Sequence, residues 1–147
     1  IPSFSHISND LRELIEANKK KVEITDSCLR CICEASRGCT QNVTCIQFLG
    51  VEYCGPYQIT QRYWLIANQK AHNGLSFEEC AANLDCSRET VTRYMEMRGQ
   101  DCNKDESIDC LDFATLHFGR TERCLQASVH QSLFWKEFEK CFGFEIR

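Results

Sequence analysis

No apolar run in this chain of 147 residues is long enough for a membrane-spanning helix, so none is expected. Nor is there a basic excess. Seventeen Lys and Arg face 21 Asp and Glu, a formal charge of −4, which argues against nucleic acid as a partner and against a general pull toward anionic bacterial surfaces. The chain opens at Ile1 without the charged and apolar stretches of a secretory leader, and any such leader is expected to have been removed. His6, His72, His117 and His130 show no metal-ligand spacing, and CxxC pairs in an oxidised protein are poor zinc sites. No metal or other cofactor is expected.

What the chain has is cysteine. There are twelve, about 8% of the residues and near the level of disulfide scaffolds, which points to an oxidising compartment and a secreted, extracellular protein. The length suits one domain with a real core. Six of the twelve fall between Cys28 and Trp64, together with the only internal proline, Pro56. Cysteines this close cannot all lie on regular helix, because short loops must turn back for the sulfurs to meet. Cys33 to Cys39 and Cys45 to Cys54 are the expected local bridges, although spacing alone leaves other pairings open.

The remaining pattern is mostly helical. Leu11, Leu14 and Ile15 recur at helical spacing from Asp10 to Lys20, followed by the basic run Lys19 to Lys21. Residues 1–27 therefore read as an extension bearing a short amphipathic helix, ahead of a main domain at 28–147. YCGPYQIT predicts a small β region, with a turn at Gly55 and Pro56 and extended backbone at Tyr57, Gln58 and Ile59. QRYWLIANQK, from Gln61 to Lys70, predicts a helix. Phe77 to Met97 imitates a helix-turn-helix with a Ser87 cap, but Cys80, Cys86 and the acidic total favour two short helices around a bridged turn. Helices are also expected at Cys110 to Gly119, with His117 an ordinary partly buried side chain, and at Leu133 to Phe144. Asp101, Asn103, Asp105, Ser107, Asp109 and Asp112 have calcium-loop spacing. Glu106 replaces the turn glycine and Asp112 is short for the last ligand, so a solvated, cross-linked acidic loop is expected instead.

CLRCIC, CTQNVTC and CGPYQIT followed by YW, then CAANLDC, TVTRYM, CLDFATLHFG and FWKEFEKC, resemble the invertebrate-type (i-type) lysozymes, also called the destabilase family. The resemblance covers roughly residues 28 to 143. It implies an α+β lysozyme-like fold, mostly helical with a small antiparallel β region, a glycan-binding cleft, cleavage of bacterial peptidoglycan and, in some members, isopeptidase activity. Family members usually carry two further cysteines, at the places of Ala67 and Thr90. Their joint absence leaves an even twelve, which supports about six bridges and no free thiol among Cys28, Cys31, Cys33, Cys39, Cys45, Cys54, Cys80, Cys86, Cys102, Cys110, Cys124 and Cys141.

Glycoside hydrolysis needs one protonated and one ionised carboxyl group. The resemblance puts these at Ser36 and Phe48, neither of which is a carboxylate. It puts the isopeptidase serine and lysine at Val51 and Thr60, where no activated nucleophile remains. Glu34 and Glu52 lie near in sequence and read as solvated surface acids. The expectation is a non-catalytic member that binds a glycan, a bacterial or peptidoglycan fragment, or a protein partner. The alternative is an active antibacterial or digestive glycosidase with relocated carboxylates. Tyr57 and Gln58 are the glycan-binding candidates, offering an aromatic face and an amide. Asn42-Val43-Thr44 is an N-glycosylation sequon.

Overall fold

The computed structural model describes residues 22–69, 74–119, 124 and 126–146, and the helix expected at Asp10 to Lys20 lies outside them. The first described helix, α1 (Asp26–Arg37), starts where the Thr25 hydroxyl accepts the Cys28 amide at 3.1 Å. It stops at Gly38, whose left-handed backbone returns its amide to the Cys33 and Glu34 carbonyls. Cys28, Leu29, Cys31, Ile32 and Cys33 are buried along α1. Three of them are bridged, Cys28 to Cys110, Cys31 to Cys141 and Cys33 to Cys39, which makes α1 the hub of the domain. In the chain-entropy model the bridge spanning 110 positions contributes about 5 kcal/mol and the one spanning 6 about 2 kcal/mol.

After α1 the chain forms a short hairpin. Strand β1 (Ile46–Phe48) pairs antiparallel with β2 (Val51–Tyr53), Ile46 opposite Tyr53 and Phe48 opposite Val51. Leu49 and Gly50 connect them at φ 50° and 78°, the positive values that a tight two-residue hairpin requires. The Cys45–Cys54 bridge closes the base. The extended run expected at Tyr57 to Ile59 is replaced by a turn. Cys54 and Ile59 form an isolated bridge and Gln58 sits at φ 50°. Tertiary contact fixes this turn: a Cβ on Gly55 would come within 1.7 Å of the Ala81 carbonyl oxygen, so only glycine fits.

Helix α2 (Gln61–Ile66) begins at a Thr60 cap and is shorter than expected, with Asn68 already at φ 59°. Helices α3 (Phe77–Ala82) and α4 (Leu84–Arg98) meet at Asn83, whose side chain accepts the Cys86 amide at 2.8 Å, and the Cys80–Cys86 bridge staples the corner. Ser87 is therefore not the cap. It is buried inside α4 and donates its hydroxyl to the Asn83 and Leu84 carbonyls. Ala67 and Thr90 are both buried. Gln69 donates to the Thr90 hydroxyl at 3.0 Å and Arg93 to the Ala67 carbonyl at 2.9 Å, so polar bonds tie α4 to the end of α2.

The acidic loop before α5 (Cys110–Gly119) folds on its own amides. Asp112 accepts from Cys102, Asn103 and Asp109, while Asp101 accepts from Asp105 and Glu106. Burial pushes the Asp112 carboxyl up, against the downward pull of these amides. Cys102 is bridged to Cys124. After α6 (Gln126–His130), helix α7 (Leu133–Ile146) lays Phe134, Trp135 and Phe138 into the core, and Cys141 clamps it to α1. All twelve cysteines are paired, including the two expected local bridges. The fold is the expected one: mostly helical, with a two-stranded antiparallel sheet.

Candidate functional site

Ser36 lies in the last turn of α1, half-buried, and donates its hydroxyl to the Ile32 carbonyl at 2.8 Å. His117, from α5, brings its Nε2 to 3.5 Å from the Ser36 Oγ. A serine beside a histidine suggests nucleophile and base, but the protons are arranged otherwise. Nε2 also lies 2.8 Å from the Tyr57 carbonyl oxygen. A carbonyl can only accept, so Nε2 carries the proton and cannot take one from Ser36. Nδ1, at 3.0 Å, accepts from the Tyr63 hydroxyl. His117 is 1% exposed, not the partly buried side chain expected, and it ties α5 to α2 and to the 55–58 turn.

The other positions singled out by the sequence resemblance, Phe48, Val51 and Thr60, lie on the hairpin and just before α2. Phe48 is 61% exposed, and Val51 is exposed on the same face. Thr60 accepts the Tyr63 amide at 3.2 Å, which makes its hydroxyl a helix cap. Val51 and Thr60 line one groove, whose lining includes neither Ser36 nor Phe48. This groove, about 550 Å³, runs between Gly50–Tyr53 of the hairpin and Thr60–Arg62, with Phe77 and Gly119 completing its walls.

Glu52 is the one carboxylate among these lining residues, and Arg62 lines the same groove. The Gln47 amide donates to Glu52 Oε2 at 3.3 Å. Glu52 is half-buried, where a solvated acid was expected, and Glu34 is exposed. Tyr57 and Gln58 are 2% and 4% exposed, with Tyr57 Oη donating to the Leu29 carbonyl and Gln58 to the Gly55 carbonyl. Neither side chain offers a sugar a free face, because the turn points both inward. Sequence reasoning missed Tyr53, Gln61, Arg62 and Phe77 as groove residues. The first turn of α2 was the available signal.

A second concavity of about 440 Å³ is lined by two carboxylates, Asp26 and Asp85, along with Arg30, Arg88 and Tyr57. Asp26 is ion-paired with Arg88. Both acids are exposed.

A disulfide-clamped helical domain with a small hairpin beside a polar groove is a lysozyme-like fold. The chain belongs to the invertebrate-type lysozyme, or destabilase, family: the Destabilase family model matches residues 25–141. It is 30% identical over 120 residues to a lysozyme of Meretrix lusoria, covering 82% of this chain and 92% of that one. An invertebrate-type lysozyme of Ruditapes philippinarum is 25% identical over 120 residues, covering 82% and 83%. The crystal structure of Meretrix lusoria lysozyme in complex with Aeromonas hydrophila PliI superposes with a TM-score of 0.68 at 30% identity, covering 82% of this chain and 94% of that one.

Proposed function

We propose that this protein is a secreted lysozyme relative that binds without cutting, and that its ligand is a glycan or a peptidoglycan fragment seated in the groove beside the hairpin. The observation that supports this reading is that, among the described residues, Glu52 is the one carboxylate lining the groove. Hydrolysis needs two carboxyl groups, about 5 to 9.5 Å apart. At the position the family resemblance assigns to the acid stands Ser36, a poor general acid whose proton is given to its own helix. Glu52, Gln61 and Arg62 supply hydrogen-bonding groups for hydroxyls, and Tyr53 and Phe77 supply apolar wall. Loss of turnover leaves such contacts usable, because much substrate affinity comes from groups that do no chemistry.

The test pairs a turbidity assay on peptidoglycan with calorimetric titration of a chitooligosaccharide. The wild type is expected not to clear the suspension, to bind the oligosaccharide saturably, and to lose about tenfold in affinity on Glu52→Gln, the loss of one charged hydrogen bond. Clearance that disappears in Glu34→Gln or Glu52→Gln would instead establish a glycosidase with relocated acids. Absence of both clearance and saturable binding would reject either form of glycan recognition.

A second reading, capture of a protein, is favoured by the hairpin. Ile46, Phe48, Leu49 and Val51 are all exposed there, and apolar residues gathered at the surface mark interaction sites more often than singly scattered ones do. The Meretrix lusoria relative was crystallised with PliI bound, and a protein of that kind is the occupant to try.

A further inference from the structure

We infer that Asn42 carries an N-linked oligosaccharide. Asn42-Val43-Thr44 is the only Asn-x-Ser/Thr triplet in the chain. The structure places it in the connection between Cys39 and Cys45, outside any helix or strand, with Asn42 and Thr44 both exposed. Asn42 sits at φ 60°, a left-handed turn conformation that asparagine tolerates better than most residues. The backbone here is tied down, since the Asn42 amide donates to the Ala82 carbonyl and Gln41 accepts the Leu84 amide. Among the described residues no hydrogen bond holds the Asn42 carboxamide, so a bulky substituent on it displaces nothing. Six disulfides independently place folding in an oxidising compartment, the one in which such transfer takes place in eukaryotes.

In the transfer, Asn42 Nδ2 forms a bond to the anomeric carbon of an oligosaccharide carried on a polyprenyl diphosphate. The bond from that carbon to the diphosphate oxygen breaks with its electron pair, the lipid diphosphate leaves, and Nδ2 gives up one proton. Gln41 meets Leu84, which with Cys39 lines the Asp26/Asp85 concavity. That concavity shares no lining residue with the Glu52 groove. Asn42 itself lines neither.

The test is intact-mass and peptide analysis of the chain secreted from a eukaryotic culture that glycosylates a control sequon protein. The inference expects a heterogeneous mass excess, its loss on treatment with peptide N-glycosidase, and aspartate at position 42 afterwards. Thr44→Ala, which keeps the residue in the left-handed position, should remove the excess, as should Asn42→Gln. Recovery of the peptide spanning Asn42 wholly unmodified from wild-type protein would overturn it, and so would a mass excess that survives Thr44→Ala.

Discussion

The His117 junction and the Ile46–Tyr53 hairpin are linked by the turn from Cys54 to Ile59, which supplies Tyr57 to the junction, yet they are built in opposite ways. At the junction, polar groups are buried and occupied: the Tyr57 carbonyl, both His117 ring nitrogens and the Tyr63 hydroxyl all serve one another. At the hairpin, apolar groups are exposed, with Phe48 61% and Leu49 87% accessible. A buried polar network rigidifies the fold but leaves no reactive proton to spare. An exposed apolar edge adds little to stability and is free for recognition. This contrast agrees with the proposal that the protein binds, since the Ser36–His117 approach belongs to the framework.

The sharpest way to break the contrast is His117→Ala. It strands the Tyr57 carbonyl and the Tyr63 hydroxyl and opens a cavity, with an expected loss of about 3 to 5 kcal/mol in chemical denaturation. A loss below about 1 kcal/mol, the size of an exposed contact, would show that the junction does not hold the fold.

Alkaline titration probes the same junction more gently. Burial pushes the Tyr57 phenol from 10.0 up to about 12, offset in part by nearby Arg88. The unfolded chain releases this proton near pH 10 while the folded chain keeps it. The contribution is therefore intact below pH 10.0 and lost as pH rises through about 12. The expected loss is about 3 kcal/mol by the top of that window. Denaturation midpoints followed upward in pH should fall less steeply in Tyr57→Phe than in the wild type, and parallel curves would assign the loss elsewhere.

The smallest expected effect lies at the hairpin. Phe48→Ser and Leu49→Ser should each change stability by no more than about 0.5 kcal/mol, because solvated side chains lose little on truncation. A large loss in thermal or chemical unfolding would mean that the hairpin face is covered in solution, which would favour the protein-capture reading over the glycan one.

Much of the framework was legible from residue spacing. The helices flanking Cys80 and Cys86, the one at Cys110, and the aromatic helix ending near Cys141 announce themselves through apolar periodicity and a bridge at a fixed place. The Cys33–Cys39 and Cys45–Cys54 disulfides followed from how little chain lies between their sulfurs. The start of α4 was misjudged because Asn83 and Ser87 are both acceptable caps, and only the path of the chain at the Cys80–Cys86 corner selects the first. The turn at 55–58 was misread because its cause, the Ala81 carbonyl pressed against Gly55, is remote in sequence.

The amino-acid order by itself determined the cross-linked helical framework and the family, because local spacing and residue chemistry need no knowledge of distant neighbours. Tertiary structure alone decided that Tyr57 and Gln58 turn inward, that Glu52 borders a groove with Arg62, and that His117 spends both nitrogens on the fold. Each of these depends on which far-off carbonyl, hydroxyl or helix end meets the side chain, and burial and proton placement are properties of that meeting.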